Sequence, residues 1–337
     1  MSDLPFVTIG VPCLNEEGFI EVLVRGALAQ DYPADRFEVL VADGGSTDRT
    51  LEILEGISRE DGRVRVLDNP KRIQAAGMNE IIKASRGDVL VRFDAHAEYA
   101  SDYVRKCIEV LERTGADNVG GGAKTRYRNW MQRAVCAALD SPLGVGGSRY
   151  RTEGAEGWVD TVWGGTFPRR VFEKVGMYDP GAVVNEDAEL NQRILEAGGR
   201  IYLSKEIVAY YYPRDSFAGL ARQYFRYGMG RARTLMKHKT FPTPRPAIPF
   251  LMVAGGVAVL LVPPCQLFAP LYFGGYGLLT GVEAVRVGRK AGFSSIPAVW
   301  AIFPVLHVAH GVGFASGLLR FLRKPDWSEP ELLVTRE

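Results

Sequence analysis

The sequence predicts an α/β fold built on a doubly wound, mainly parallel sheet, followed by helices that enter a membrane. Short β-rich runs alternate with helical patterns over the first hundred residues. Several of these runs end in Gly, Asn or Asp, as strands do where they pass into loops. Charged residues are frequent up to about residue 240 and rare from 246 to 319, so the two parts suit different solvents.

The first elements follow from residue periodicity. FVTIGVPCLNEE predicts a strand and a polar loop, and GFIEVLVRGALAQDY has apolar residues at helical spacing. RFEVLVADGGSTDRT repeats the pattern, with a helix beginning at STDRTLEILEGI; the strand VRVLDN, a helix around IQAAGMNEIIKASRG and the strand DVLVRFDA follow. Ligands bind at the carboxyl ends of the strands in such sheets, so we expect Asn15, Asp43 and Asp94 along one edge.

The pattern is less regular after residue 100. CIEVLERTG predicts a helix and ADNVGGGAKTRY a strand. WVDTVWGGTFPRRVFEKVG predicts a strand, a glycine turn and a helix, and NEDAELNQRILEAGGRIYLSK predicts a helix that begins with acids and then a strand. The segment KHKTFPTPRPAIP predicts a linker. The expected organisation is a first domain over 1–240, a membrane-associated region over 241–326 and a polar tail over 327–337.

Two uncharged runs predict the membrane region. Ala247–Val282 has 36 residues without a charge, interrupted by VPPCQ, and Ala291–Leu319 has 29. They predict segments at about 247–264, 265–282 and 293–319, each near the length that a bilayer needs. Basic residues on both sides of the first two segments indicate a hairpin with cytoplasmic ends. The third segment is either a crossing or a re-entrant or interfacial helix, and buried helices of a soluble protein are the alternative for all three.

Charge and cysteine content narrow the function classes. A net charge of +2 gives no indication of a nucleic-acid partner. The four cysteines are far apart and form no CxxC pair, so neither a zinc site nor a disulfide framework is expected. The start MSDLPFVTIGVP lacks the pattern of a signal peptide, so we expect the first domain to stay in the cytoplasm.

The stretch VLVRFDAHAEYA ends an apolar strand with an acid, an imidazole and an acid at alternating positions. Residues two apart on an extended segment point the same way, so Asp94 and His96 are expected to share a face, with Glu98 as a weaker third member. The pattern predicts a metal site at the end of the strand. The alternative is a polar loop.

The motifs VPCLNEE, VADGGSTDRT, FDAHAEY, WGGTFPRRVFEKVGMYD, NEDAEL and RQYFRYG, in this order, resemble those of family 2 glycosyltransferases with the GT-A fold. The resemblance covers about residues 5–240. SPLGVGGSRYR and the His of DAH are similar to the bacterial exopolysaccharide group of succinoglycan-type glucosyltransferases.

The resemblance implies a nucleotide-sugar site. Pro12, Asn15 and Glu17 would line the nucleotide pocket, although the neighbouring acid, Glu16, could face inward instead. Asp43 would hydrogen-bond the base, or else form the turn before two glycines.

The resemblance also implies a divalent ion, because a departing diphosphate needs its charge neutralised. The usual Asp-x-Asp reads Asp94-Ala95-His96 here. This implies Mn²⁺ or Mg²⁺ held mainly by Asp94, with His96 as a second ligand or as a contact to phosphate, and imidazole favours Mn²⁺ over Mg²⁺.

On the acceptor side, the resemblance implies that Asp187 is the general base and that Glu186 positions the acceptor. The alternative is that both acids only begin a helix. Gly164 and Gly165 would let a sugar ring approach closely, and Trp163 would either stack on that ring or belong to the core.

The stretch RQYFRYG is similar to the family's Gln-x-x-Arg-Trp signature, with Gln223 and Arg226 matched and Tyr227 in place of Trp. Arg226 would bind the diphosphate. The Tyr and the small membrane region argue against a processive synthase. The same stretch also fits an amphipathic helix on anionic lipid.

The resemblance implies an inverting hexosyltransferase at the bacterial inner membrane, with its catalytic domain in the cytoplasm. It would move a sugar, with glucose as the first candidate, from a UDP-sugar to a lipid-linked oligosaccharide in exopolysaccharide synthesis. Exopolysaccharide assembly proteins would be its partners. The alternatives are a polyprenyl-phosphate glycosyltransferase and a nucleotide-binding membrane scaffold without catalysis. A nucleotidyltransferase is disfavoured because VPCLNEEGF is not a glycine-rich basic loop.

Overall fold

A computed structural model describes most of the chain, namely residues 4–146, 149–152, 154–240, 243–323, 327, 331 and 333. Most of the predicted tail, 327–337, therefore lies outside the described residues. So do Gly147 and Ser148 of the SPLGVGGSRYR motif.

The described residues form nine strands and thirteen α-helices. The strands are β1 Val7–Cys13, β2 Phe37–Asp43, β3 Val64–Asp68, β4 Val89–Arg92, β5 Ala97–Tyr99, β6 Asn118–Thr125, β7 Gly157–Val159, β8 Trp163–Pro168 and β9 Ile201–Tyr211. The helices are α1 Ile20–Leu28, α2 Thr50–Glu60, α3 Gln74–Ala84, α4 Tyr103–Thr114, α5 Trp130–Leu139, α6 Pro142–Val145, α7 Arg170–Val175, α8 Glu186–Glu196, α9 Phe217–His238, α10 Ile248–Leu261, α11 Pro263–Gln266, α12 Ala269–Ala291 and α13 Ile296–Phe321.

The chain divides into two compact units. Among the described residues, the first comprises 4–124, 154–211, 331 and 333, and the second comprises 125–146, 149–152, 212–240, 243–323 and 327. The second unit therefore takes residues on both sides of the expected boundary at 240, including α5, α6 and α9. The sequence did not reveal this division, because it depends on contacts between segments far apart in the chain.

The first unit contains one mixed sheet in the order β3-β2-β1-β4-β8-β6-β9-β5, with β7 paired to β9. The strands β3, β2, β1 and β4 are parallel, and β8 turns the sheet antiparallel against β4. All residues of β1 and β2 are buried, as expected of central strands covered on both faces. The doubly wound sheet expected from the sequence is confirmed, and its parallel half ends at the loops after β1, β2 and β4.

The second unit is helical and depends on close backbone approach. A Cβ at Gly228 on α9 would collide with the carbonyl oxygen of His310, and a Cβ at Gly313 on α13 would collide with that of Phe225. Glycine thus lets α9 and α13 pack nearly backbone to backbone, as small residues do between membrane helices.

Within the described residues, one helical segment, Phe293–Phe321, is long and apolar enough to cross a membrane, with a mean hydropathy of 1.6. Arg245–Leu261 is apolar but shorter. The first two predicted segments appear as α10, of 14 residues, and as the uncharged first part of α12. The number of crossings remains a prediction.

The glycine turn expected in WGGTF is wrong. Gly164 and Gly165 lie inside β8, and the register of β6 against β8 shifts at this point. Gly164 has φ +69°, and a Cβ at Gly165 would lie 2.7 Å from Asn118 Oδ1. The two glycines are required by a bulged strand and its neighbour rather than by a turn.

Candidate functional site

The loops after β1 and β2 bind each other through hydrogen bonds between backbone N–H groups and side-chain oxygens. The Asn15 N–H donates to Ser46 Oγ (2.8 Å), and Asn15 Oδ1 accepts from the Thr47 N–H (2.8 Å). Asn15 has φ +56°, a left-handed conformation that asparagine tolerates better than most residues. The two loops therefore form one rigid rim beside the strand ends.

Asp43 builds the turn that it begins. Its Oδ2 accepts from the N–H groups of Gly45 and Ser46 (2.9 Å each), and its Oδ1 accepts from Ser46 Oγ (2.5 Å). Both carboxylate oxygens thus have partners in the protein. The turn-forming role left open by the sequence is present, and the contact to a base stays a prediction.

The two acids of LNEE point to different places. Glu17 Oε2 accepts from the Arg49 N–H (3.0 Å), at the start of α2. Glu16 Oε1 lies 3.6 Å from His96 Nδ1. It is therefore Glu16 that reaches the DAH segment, while Pro12 is buried within β1.

Asp94 and His96 do not lie on an extended segment, so the expectation that they share a strand face is wrong. The Ala97 N–H donates to the Asp94 carbonyl (3.1 Å), which closes a tight turn between β4 and β5. The turn buries Asp94 at 9% exposure and leaves the His96 side chain half exposed. Alternation applies only while the backbone stays extended.

Asp94 is held at three points. Its Oδ1 accepts from Arg92 Nε (2.9 Å) and from Gln74 Nε2 (3.0 Å), at the first residue of α3. Its N–H donates to the Tyr99 hydroxyl (2.7 Å). Among the described residues no hydrogen bond is made to Oδ2, so this oxygen is available to a ligand.

Arg92 also reaches the NEDAEL helix. Its Nη1 lies 3.0 Å from Glu186 Oε1, and both side chains are less than 10% exposed. Burial alone would lower the pKa of Arg92, but the charges of Asp94 and Glu186 hold it well above its ordinary value, so the guanidinium stays charged.

Glu186 and Asp187 have different environments at the start of α8. Burial raises the pKa of Glu186 to about 7; Arg92 lowers it in part, and Asp187 raises it further. Asp187 is partly exposed, and its Oδ1 accepts from the Ala188 N–H (2.8 Å). Asn185 before them has φ +59°, the left-handed conformation also seen at Asn15. Asp187 is thus the accessible acid of the pair.

Aromatic rings support the Asp94 turn. Tyr99 stacks on Phe93 with ring centroids 3.6 Å apart, and the Trp163 ring lies parallel to Tyr99 with centroids 6.1 Å apart. Trp163 is half-buried against the core. It therefore has the packing role left open by the sequence, and any contact with a sugar would use its exposed part.

A divalent ion fits the charge and donor types of this group. The carboxylates of Asp94, Glu186 and Asp187 face a single buried guanidinium, so negative charge is in excess. Oxygen donors suit Mn²⁺ and Mg²⁺. No cluster of three or more His, Cys, Asp or Glu able to hold an ion is found in the described part of the chain. An ion at Asp94 and His96 would therefore need further ligands from a bound diphosphate.

Gln223 and Arg226 lie on α9 in the second unit. Gln223 Nε2 donates to the Tyr227 hydroxyl (3.0 Å), one helical turn further along. The Tyr that replaces the signature Trp thus pairs directly with the signature Gln.

Two residues near Asp94 were missed from the sequence: Arg92 and Gln74. One signal was present. An arginine inside the apolar strand VLVRF must be paired with acids if the strand is central, because a buried unpaired charge is very costly. Gln74 gave no comparable signal.

Comparison with known proteins assigns the family. The profile described as Glycosyl transferase family 2 matches residues 8–176. "Succinoglycan biosynthesis protein ExoA" of Rhizobium meliloti (strain 1021) is 36% identical over 325 residues, covering 94% of this chain and 96% of the relative. The chain belongs to glycosyl transferase family 2 and has the GT-A fold.

More distant relatives share the architecture. The dolichyl N-acetyl-alpha-D-glucosaminyl phosphate 3-beta-D-2,3-diacetamido-2,3-dideoxy-beta-D-glucuronosyltransferase of Methanococcus voltae is 28% identical, over 69% of this chain and 74% of its own. The mannosyltransferase PcManGT from Pyrobaculum calidifontis, solved with GDP-Man and Mn²⁺, superposes with a TM-score of 0.63 at 18% identity, over 95% of this chain and 88% of that one. This last likeness concerns the fold alone.

Proposed function

We propose that this glycosyltransferase is an inverting hexosyltransferase of exopolysaccharide synthesis. It takes a sugar from a UDP-sugar donor, with UDP-glucose as the first candidate, and transfers it to a lipid-linked oligosaccharide. The main support is the joining of Asp94 and the Glu186–Asp187 pair through Arg92 at the end of β4. This arrangement supports a donor side at the buried carboxylate of Asp94 and an acceptor side at the accessible carboxylate of Asp187.

The proposed reaction is one in-line displacement. Asp187 takes the proton of the acceptor hydroxyl as its oxygen forms a bond to the anomeric carbon. The bond from that carbon to the diphosphate oxygen breaks, and UDP leaves with the electron pair. Glu186, the buried acid that precedes Asp187, positions the acceptor. The turn that carries Asp94 binds the donor.

A divalent ion at Asp94, with His96 as second ligand, would supply charge neutralisation for the diphosphate. The Pyrobaculum calidifontis mannosyltransferase was solved with Mn²⁺, which supports Mn²⁺ here. The nucleotide is assigned to the rim formed by Asn15, Glu17 and Asp43, and the sugar to the strand of Gly164 and Gly165 beside Trp163. Gln223 and Arg226 are assigned to the diphosphate by the signature alone.

The acceptor and the localisation are proposed together. The name of the Methanococcus voltae relative includes a dolichyl phosphate-linked sugar, which supports a lipid-linked acceptor. The second unit exposes large apolar side chains along α10, α12 and α13 and between α11 and α12, among them Leu261, Leu267 and Leu271, each more than 70% exposed. We assign these to the inner membrane, with the first unit in the cytoplasm.

The test is release of UDP or GDP from a panel of nucleotide sugars by purified protein in detergent, with membrane lipid extract and with Mn²⁺, Mg²⁺ or EDTA. Asp187→Asn is compared with the matched surface change Asp35→Asn. We expect release from one UDP-sugar in the presence of metal, lowered at least about 100-fold in Asp187→Asn and unchanged in Asp35→Asn.

Activity that survives EDTA would remove the metal from the proposal. Transfer to added polyprenyl phosphate, but not to a lipid-linked oligosaccharide, would favour the polyprenyl-phosphate enzyme. Binding of UDP without turnover, even with lipid extract, would favour a scaffold.

A further inference from the structure

Arg92 connects the two halves of the candidate site through separate nitrogen atoms. Nε donates to Asp94 Oδ1 (2.9 Å), and Nη1 forms an ion pair with Glu186 Oε1 (3.0 Å) without the alignment of a hydrogen bond. The exposed fractions of the three side chains are 8%, 12% and 6%. Water therefore has little access to this ion group, and neither carboxylate can turn away without leaving a buried charge unpaired.

The surroundings fix the direction in which Arg92 points. Its Cζ lies 6.0 Å from the centre of the Tyr178 ring. The backbone of Tyr178 is held on both sides by Asn79, whose Nδ2 donates to the Tyr178 carbonyl (2.8 Å) and whose Oδ1 accepts from the Tyr178 N–H (2.9 Å). The planar guanidinium thus rests beside a ring that α3 immobilises.

The geometry suits positioning better than stabilisation. A buried ion group is weak evidence for stability, because apolar side chains of similar volume often serve as well. A guanidinium group, in contrast, is planar and holds its nitrogen atoms in fixed positions, like a fork. It can therefore fix the separation of two carboxylates in a way that the point charge of an ammonium group cannot. Here the two carboxylates belong to elements far apart in sequence, the turn after β4 and the first residue of α8.

We propose that Arg92 is a positioning residue that holds Asp94, on the donor side, and Glu186, on the acceptor side, at a fixed separation. The proposal rests on the proposed function, which assigns these two sides. The distance between the Asp94 turn and the start of α8, where Asp187 follows Glu186, is thereby set by one side chain.

The test compares Arg92→Met and Arg92→Lys with Arg193→Met, a change at another buried arginine of the same unit. Arg193 pairs with Glu189 and binds the carbonyls of Val175 and Met177. The measurements are kcat and KM with UDP-glucose and membrane lipid extract, thermal unfolding, and deuterium exchange of the backbone with no ligand present.

For Arg92→Met we expect kcat to fall about 100-fold, the cost of a displacement near 1 Å, with KM for UDP-glucose changed less than about threefold. Exchange should rise in peptides over 93–97 and 185–190 and stay unchanged elsewhere in the sheet. Arg92→Lys should recover about tenfold in kcat, because it keeps the charge but not the fork. Arg193→Met should raise exchange near 175–177 and leave kcat per folded molecule unchanged.

Combining Arg92→Met with Glu186→Gln should lower kcat by less than the product of the two single effects, because both changes break the same contact.

A kcat for Arg92→Met within about threefold of the parent would overturn the proposal. So would increased exchange in only one of the two peptides. If the parent protein releases UDP from no sugar donor, the proposed function is wrong and the donor and acceptor assignments fall with it. The exchange pattern then decides separately whether Arg92 joins the two segments.

Discussion

The Glu186 side chain is buried, and this environment disfavours its ionised form. Its pKa is raised by burial to about 7, from 4.5. Because the folded value lies above the unfolded one, Glu186 contributes stability that is complete below about pH 4.5 and is lost as the pH rises through about 7. Glu186→Gln resembles the protonated acid at every pH. We expect this variant to match the parent near pH 4.5 and to be more stable at pH 8, by at most about 3 kcal/mol.

The measurement is the thermal midpoint of both proteins in detergent between pH 4.5 and 8.5. Glu55→Gln, the same change at an exposed position on α2, is the control and should follow the parent throughout. A Glu186→Gln variant whose midpoint also follows the parent at every pH would contradict the raised pKa. A gain in stability together with lost transfer would show that Glu186 serves the site at the expense of the fold.

The sequence located Asp94, Glu186 and Asp187 because each sits in a motif at a strand end or helix start. It did not locate their geometry. Whether Asp94 and His96 share a face depends on a turn that one backbone hydrogen bond closes. The residues DAHAE are equally compatible with a strand, so the sequence does not predict this turn. Contacts such as Arg92 with Glu186 join positions far apart in the chain, and local patterns carry no information about them.

At the scale of elements, alternation of strands and helices predicted the parallel half of the sheet well. The expected glycine turn failed because glycine pairs signal both turns and close backbone approach. In WGGTF the reason is a neighbouring strand. In α9 and α13 it is a neighbouring helix, and no sequence pattern distinguishes the two causes.

The approach of α9 to α13 makes Gly313 intolerant of any side chain. A Cβ there would collide with the Phe225 carbonyl oxygen, which is backbone and cannot move aside. We expect Gly313→Ala to destabilise the second unit by about 1–3 kcal/mol. Gly274→Ala on α12 is the matched control, because nothing lies within 4 Å of its added Cβ and helix propensity should make it neutral or stabilising. Thermal midpoints in detergent measure both, and equal midpoints would contradict the packing account.

At the scale of the whole molecule, composition alone separated a charged part from an apolar part of the chain. It could not show that Thr125–Thr152 belongs with the apolar helices. That segment contains α5 and α6, which pack on α12 and α13 through contacts such as Ser141 Oγ with Glu283 Oε1 (2.5 Å). Its own sequence is ordinary, so only its partners mark it as part of the second unit.

Helix lengths determine how the α10–α12 hairpin can enter a bilayer. α10 has 14 residues, about 21 Å of helix, and the uncharged part of α12, residues 269–282, is about as long. A hydrocarbon core is about 30 Å thick. We therefore expect the hairpin to enter the membrane and turn back at α11 without crossing, while α13 is long enough to cross.

Cys265 lies in α11 and can report this depth. The other three cysteines are buried, and burial raises the pKa of Cys107 to about 12 and of Cys136 to about 11, so their thiols react slowly. In spheroplasts and inverted vesicles, Cys265 should react with a membrane-permeant maleimide but with an impermeant one from neither side. Asp35→Cys on the first unit marks the cytoplasmic side. Impermeant labelling of Cys265 from the side opposite to position 35 would show a crossing hairpin, and labelling from the same side would show a helix pair that stays at the surface.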